Sequence, residues 1–315
     1  MTAAALSPLG YLYGTTVALK AARASPYRSS AKVICVGNLT AGGAGKTPVV
    51  RAITEQLIAR GLRVFVLSRG YGGRLTGPVL VNPTEHSAAD VGDEAIMLAA
   101  TAAVVVARRR AEGAKLAESH RADVILMDDG HQNFSVAKDL SLVVIDSAEG
   151  FGNGRMLPAG PLREPIKQGL ARADAVVLIG GHNFVLPHVG GPVLRARLVP
   201  PNEGQFAGLR VVAFAGIGQP RKFFSTLKAV GAQVIEAFPF ADHHRYREHE
   251  IHAMHDRARA ANATLVTTEK DYVRLSPALR SDINLLPVSA MFDDLAELTR
   301  LLDSVVPEPT VPASS

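Results

Sequence analysis

The stretch KVICVGNLTAGGAGKTP, residues 32–48, decides how the rest of the chain is read. KVICVGN (32–38) is apolar and β-branched and reads as a strand. A glycine-rich turn follows, and a helix is expected from about Thr47 to Arg60. A strand, a glycine-rich turn and a helix opening on Gly-Lys-Thr form a phosphate loop. Its backbone N–H groups cradle phosphate oxygens, its lysine neutralises the β and γ phosphates, and its hydroxyl ligates Mg²⁺. The candidate nucleotide-binding residues are Thr40, Ala41, Gly42, Gly43, Ala44, Gly45, Lys46 and Thr47. Thr40 stands where the strict pattern GxxxxGK[ST] has glycine, and Gly42 and Gly43 supply the flexibility inside the loop.

Outward from this loop, short apolar runs alternate with helical stretches. Strands are expected at 63–70, 103–107, 123–130, 140–147 and 173–180, with helices over about 92–102 and 109–120. The strands are apolar on both faces, as in a buried parallel sheet. The pattern gives an α/β fold, a P-loop NTPase-like doubly wound parallel sheet. A Gly- and Pro-rich break at 187–208 contains VLRARLV, read as a connecting strand. A second alternation follows, with strands at 210–218, 232–240, 263–270 and 283–290 and helices at about 220–230 and 293–304. The expected organisation is an N-terminal helical segment (1–30), a P-loop core domain (31–186), the connection (187–208), a smaller C-terminal α/β domain (209–305) and a disordered tail (306–315).

Composition narrows the function. The chain has 315 residues, 47% of them hydrophobic and 20% charged, which is a globular balance. One cysteine, Cys35, excludes a disulfide scaffold and a cysteine-based zinc site. Tryptophan is absent and aromatics are 5%, which argues against base-stacking platforms and a nucleic-acid partner. The net charge of +5 permits an anionic partner without naming it. Residues 1–19 carry no charged side chain, but they are diluted by Ser7, Pro8, Gly10, Gly14, Thr15 and Thr16, so no span is expected. The order of charge is also the reverse of a secretory signal. Within 9–24, Leu9, Leu12, Tyr13 and Thr16 share a helical face, and Lys20, Arg23, Arg28 and Lys32 follow. That pattern suits either an interfacial helix on anionic lipid or a helix packed on its own domain.

A P-loop needs an acid at another strand end to hold Mg²⁺ or its water. ILMDDG supplies Asp128 and Asp129, which alternatively form a turn and a cap; Asp146 is a weaker competitor. Candidate bases are Asp93 and Glu94 in VGDEA and His243 or His244 in FADHHRY. VGDE also suits a helix N-terminus, where acids favour the dipole. EHEIHAMH (248–255) lacks HExxH spacing and reads as a polar helix face, and in TTEKD (267–271) Lys270 abuts Asp271, which is not the guanine-specificity spacing.

Taken together, GNLTAGGAGKTP, LSRGYGG (67–73), VGDEA (91–95), DDGHQN (128–133), LPAGPLREP (157–165), FADHH (240–244) and TTEKDYVRL (267–275) resemble the tetraacyldisaccharide 4'-kinases, the lipid A 4'-kinases of Gram-negative bacteria. The resemblance spans about residues 8–300. It implies two α/β/α domains joined by a short two-stranded connection, with ATP in the cleft and a disaccharide 1-phosphate lipid A precursor as acceptor. It implies Asp93 as base on the sugar 4'-hydroxyl, with His243 paired to it and Lys46 on the phosphates. It further implies Mg²⁺ at Thr47 and Asp128, supported by Asp129, with Glu164 of LREP as a further metal candidate. The enzyme would be a monomer resting peripherally on the cytoplasmic face of the inner membrane, with the N-terminal helix on the anionic surface helping to hold acyl chains. DDGHQN departs from the family's usual DDGxQH at His131 and Asn133. Another P-loop ATPase or synthetase, or a nucleotide-gated membrane- or nucleic-acid-binding protein, is the alternative to a kinase.

Overall fold

The structure, a computed structural model, describes residues 3, 5–181 and 184–306. Helix α1 (Ser7–Ala22) leads into β1 (Lys32–Gly37), the phosphate loop and α2 (Lys46–Ala59). Then come β2 (Val64–Ser68), β3 (Val79–Leu80), α3 (Ala88–Val91), α4 (Asp93–Ala99), β4 (Ala103–Val106), α5 (Arg110–Ser119), β5 (Val124–Asp128), β6 (Leu140–Asp146), α6 (Ile166–Leu170) and β7 (Ala175–Ile179). The remainder is β8 (Val193–Val199), β9 (Arg210–Ala215), α7 (Pro220–Ala229), β10 (Gln233–Pro239), α8 (Glu248–Ala260), β11 (Thr264–Thr268), α9 (Glu269–Arg274), β12 (Ile283–Leu286), β13 (Ser289–Phe292) and α10 (Leu295–Asp303).

Nine strands form one sheet in the order β13-β8-β7-β6-β1-β5-β2-β4-β3, and four form a second, all-parallel sheet, β10-β9-β11-β12. In the large sheet only the edge strands β3 and β13 run antiparallel to their neighbours. The chain works outward from β1 on one side, returns at β5, then crosses to β6 on the other. The loop after β1 therefore opens into the crevice where the winding reverses, the usual ligand position in such sheets. Successive strand residues face opposite layers. Ile34, Val66, Leu126 and Leu142 pack under α2 and α4, and Val33, Phe65, Ile125 and Met127 pack against the helix-α5 side. Fully burying such side chains contributes about 1.5–3 kcal/mol each.

VLRARLV is the connecting strand β8; it joins the large sheet parallel to β7 and pairs antiparallel with β13 on its other side. The expected second domain differs from the structure in one place. The expected strand 283–290 is two strands in two sheets. Pro287 lies between them, and proline has no N–H for a ladder. β12 completes the small sheet, while β13 pairs with β8. Helix α10 follows β13 onto the first unit, where Leu298 and Leu302 join the core beneath α2. Gln56 donates to Thr299 at 2.7 Å and Arg60 to Asp303 at 2.6 Å. The unit expected to run to 305 thus returns to the first sheet from residue 289. The expected disordered tail lies, from residue 307 on, outside the described residues.

Helix α1 approaches the body through its small residues. Gly10 and Gly14 are buried, and a Cβ at Gly14 would lie 2.5 Å from Met156 Sδ. A larger residue there would have to displace the end of the Met156 side chain. Leu9, Tyr11, Leu12 and Leu19 are left exposed. Among the described residues no helix is long and apolar enough to cross a membrane.

Candidate active site

Three neighbouring strand ends build the nucleotide end of the crevice. After β1, Gly45 takes φ +82° and caps α2, whose first residues are Lys46 and Thr47. The loop is braced by LPAGPLREP. Ala41 N–H donates to Pro161 O at 2.7 Å, Arg163 N–H donates to Leu39 O at 2.8 Å, and Thr40 bridges Leu162. The Gly42 and Gly43 faces meet no neighbouring atom within 4 Å. This loop is therefore held at its flanks and open at its tip, as a phosphate cradle must be.

β5 delivers the two acids. Asp128 is buried, and its Oδ1 has no hydrogen-bond partner among the described residues. Burial, with the charges of Glu94 and Asp129, pushes its carboxyl up to about 7. Behind it Arg110, also buried, donates to Asp128 O at 3.2 Å and to Ala107 O at 2.8 Å. Asp129 is differently placed. Burial would raise its carboxyl, but Lys46 and Arg163 outweigh that and lower it. Arg163 reaches both Asp129 oxygens at 2.8 Å, and Lys46 Nζ lies 3.5 Å from Oδ1.

Glu164 does not join these acids. It is buried beside α6, where Gln132 donates to Oε1 at 2.8 Å and Arg172 pairs with Oε2. Both oxygens of this further metal candidate are engaged by protein partners. Gln132 also donates to Asn38 O at 2.8 Å, so Glu164 supports the strand entering the loop. The DDGHQN departure is equally local. His131 is buried, with Nδ1 3.1 Å from Ser141 Oγ and Nε2 2.9 Å from Gly169 O. Burial, then Lys138, pushes its imidazole down to about 4, so it is a neutral packing residue. Asn133 Oδ1 accepts from Ser135 N–H and Oγ–H, closing its own turn.

The base candidates come together across the crevice. Asp93 opens α4 and is 5% exposed; its Oδ1 accepts from Glu94 N–H at 2.9 Å. The helix-start reading of VGDE holds, and the same residue lies at the crevice. His243 sits in the loop after β10 at φ +59°, and its Nδ1 lies 3.4 Å from Asp93 Oδ2. Tyr71 of LSRGYGG packs on the His243 ring at 5.4 Å between centroids. His244, by contrast, turns away to Glu250 at 3.0 Å.

Sequence reasoning missed the residue that dominates this junction. Arg274 donates to Asp93 Oδ2 from Nε at 2.9 Å and Nη2 at 2.6 Å. Lys270 lies 3.4 Å from Glu94, and Arg51 donates to Glu269 at 2.9 Å. All three second-unit residues lie in TTEKDYVRL. The motif was visible, but the partners are distant in sequence, and no spacing rule connects them. On the other flank, Lys222 of α7 pairs with Asp146 at the end of β6. EHEIHAMH lies on helix α8, with Ile251 and Met254 inward and His249 and His252 exposed. Among the described residues no cluster of three or more His, Cys, Asp or Glu is spaced to hold a metal.

A phosphate loop at a doubly wound crevice, faced by a carboxylate and an imidazole from two sheets, defines a P-loop phosphotransferase. The family model described as Tetraacyldisaccharide-1-P 4'-kinase matches residues 2–307, and the chain belongs to that family. The Tetraacyldisaccharide 4'-kinase of Rhodospirillum rubrum is 50% identical over 309 residues, covering 96% of this chain and 93% of that one. The Dinoroseobacter shibae enzyme of the same name is 49% identical over 322 residues, covering 98% and 94%. Among solved structures, the "apo" form LpxK from Aquifex aeolicus in complex with ATP superimposes with a TM-score of 0.79 at 26% identity. That match covers 98% of this chain and 100% of that one.

Proposed function

We propose that the crevice between the two sheets transfers the γ-phosphoryl group of ATP to the sugar 4'-hydroxyl of a tetraacyldisaccharide 1-phosphate, with Asp93 as the base. The activity is that of an ATP-dependent lipid kinase of the family to which the chain belongs. The observation that carries the residue assignment is the convergence of Asp93 and His243, 3.4 Å apart, from opposite sides of the crevice. A base must lie within hydrogen-bond reach of the proton that it takes, and Asp93 is a buried carboxylate at the mouth of that crevice.

The chemistry follows from placement and charge. The 4'-hydroxyl proton passes to Asp93 as the oxygen attacks the γ-phosphorus in line with the leaving ADP. Lys46 is released from Asp129 onto the phosphates, and Asp129 keeps Arg163. Thr47 and the unpartnered oxygen of buried Asp128 fit a Mg²⁺ site, with Asp129 supporting it. Mg²⁺ bound there would neutralise charge developing between the β and γ phosphates.

The reading extends to where the enzyme works. Helix α1 exposes Leu9, Tyr11, Leu12 and Leu19 and ends in Lys20 and Arg23, a composition for the interface of an anionic bilayer. A cavity of about 600 Å³ between α1 and residues 154–168, and an open groove of about 490 Å³ between Leu9, Leu12, Tyr13, Thr16 and Leu157–Pro158, suit acyl chains. The exposed apolar residues and basic end of α1 support our reading of the enzyme as a peripheral monomer on the cytoplasmic face of the inner membrane, beside its lipid substrate. γ-Labelled ATP and the disaccharide 1-phosphate in mixed micelles test the assignment. Label should reach the 4'-position with the wild-type enzyme and fall by about 10²-fold or more with Asp93→Asn. Equal transfer by the variant would remove Asp93 as base.

A further inference from the structure

Arg274 has five N–H groups, and all five are engaged, by four acceptor atoms. Nε and one Nη2 hydrogen go to Asp93 Oδ2 at 2.9 and 2.6 Å. The other Nη2 hydrogen faces His243 Nδ1 at 3.1 Å. The Nη1 pair goes to Gly216 O at 2.7 Å and Asp271 Oδ1 at 3.0 Å. The side chain is 9% exposed. A guanidinium donates only and keeps its protons. A ring nitrogen facing its N–H must therefore be the bare, accepting nitrogen, which puts the neutral ring's single proton on Nε2.

This logic changes how the Asp93–His243 pair is read. Its 3.4 Å Nδ1···Oδ2 separation spans the space that the same guanidinium fills from the side, and Nδ1 has no proton to share with the carboxylate. We propose that Arg274 is the positioning residue of the phosphoryl-transfer site: it holds Asp93 against α4 and fixes His243 as the Nε2–H tautomer. His243 then meets the reactants through the Nε2 proton, as a hydrogen-bond donor to an oxygen of the acceptor or the moving phosphoryl group. The proton balance stays simple. The 4'-hydroxyl proton ends on Asp93, and neither Arg274 nor His243 relays it.

The inference rests on the reading of Asp93 as base but is tested separately from it. Full-length protein labelled with ¹⁵N-histidine reports each ring's tautomer by two-bond proton–nitrogen correlation at about pH 8.5, above the ordinary imidazole range. The His243 signal is assigned by its loss in His243→Gln. The expected result in the wild type is Nε2–H; an Nδ1–H ring overturns the proposal without any mutation of Arg274. In Arg274→Gln the ring should change to Nδ1–H, now free to donate to Asp93. Its kcat should fall about 10²-fold, the scale of a misplaced catalytic group, with the KM for ATP within about threefold. Arg274→Lys should recover part of the loss, because an ammonium pairs with Asp93 but lacks the fork.

Arg274 also braces Gly216 and Asp271, so a structural control is needed. Asp271→Asn disturbs the far end of the guanidinium and should lower Tm while leaving His243 as Nε2–H. If Asp271→Asn changes the tautomer and kcat as Arg274→Gln does, the role is structural and the proposal falls. Activity retained by Asp93→Asn alongside an Nε2–H ring refutes the base reading alone; loss of activity alongside an Nδ1–H ring refutes the Arg274 inference alone.

Discussion

Replacing Asp93 and His243 singly and together tests whether the two sheets contribute one catalytic unit. The structure dictates the substitutions. Asp93→Ala would strip Arg274, 9% exposed, of the acceptor that serves two of its five N–H groups. Breaking a buried pair in that way costs about 3–5 kcal/mol and confuses catalysis with folding. Asp93→Asn keeps an acceptor oxygen in place. His243→Gln keeps bulk under Tyr71, which packs 5.4 Å from the imidazole. General-base catalysis is typically worth about 10²–10⁴-fold, or about 2.7–5.5 kcal/mol. Two independent groups would multiply to about 10⁴–10⁸-fold in the double variant. Groups acting on the same phosphoryl-transfer step, in contact through a shared guanidinium, should leave the double variant near the worse single, at about 10²–10⁴-fold. Transfer of γ-label to the lipid at saturating ATP gives kcat, and equilibrium ATP binding, measured separately, should change little. Multiplicative losses would refute the reasoning, since each residue would then act without the other.

Other perturbations reach other parts of the site. Lys46→Ala should cost about 10²–10³-fold in rate with the fold retained, because Asp129 keeps its Arg163 pair; activity within tenfold of wild type, measured by the same label transfer, would remove the loop as the ATP site. Glu164→Gln should lose about 1.5–3 kcal/mol of stability by weakening its Arg172 contact, visible as a lower Tm, while the Mg²⁺ dependence of kcat is unchanged; a tenfold rise in half-saturating Mg²⁺ would restore Glu164 as a metal ligand. Deleting residues 1–24 should abolish flotation with anionic vesicles. The full chain should float less well as salt rises, since screening acts over about 8–10 Å at 0.1–0.15 M; equal flotation of the truncated chain would place attachment elsewhere.

What the sequence made legible follows the range of the forces involved. Strand–turn–helix alternation is local, so the expected strands at 103–107, 140–147 and 210–218 fall on β4, β6 and β9, and the Gly45–Lys46 junction opens α2 as expected. The break at Pro287 is also local, yet INLLPVSA reads as one apolar run. Which sheet each half joins depends on pairing with strands far away, and that pairing sent β13 and α10 back to the first unit. The acids show the same division. Asp128 was legible as a strand end, whereas the engagement of Glu164 by Gln132 and Arg172 depends on how α6 packs. His131 and Asn133 looked like departures at a functional position. One is a buried packing residue and the other closes a turn.

The second unit meets both the phosphate-loop helix and the helix of Asp93 through one short helix. Thr268 caps α9 by accepting from Asp271 N–H at 3.1 Å, and buried Asp271 in turn holds Gly216 N–H at 3.1 Å and Tyr246 Oη–H at 2.9 Å. Thus α9 is fixed within its own sheet before it meets the other. From that base it sends Glu269 to Arg51 on the helix of the phosphate loop, Lys270 to Glu94, and Arg274 to Asp93 on the helix of the base. Lys270 and Arg274 are four residues apart and so share a helical face, which is why both reach α4. One rigid element therefore touches the nucleotide helix and the base helix together. A displacement of the second unit moves His243, which the same unit carries, relative to both. The geometry of phosphoryl transfer and the seating of ATP are in this way set by one contact surface, and TTEKDYVR owes its composition to that surface rather than to any reaction of its own.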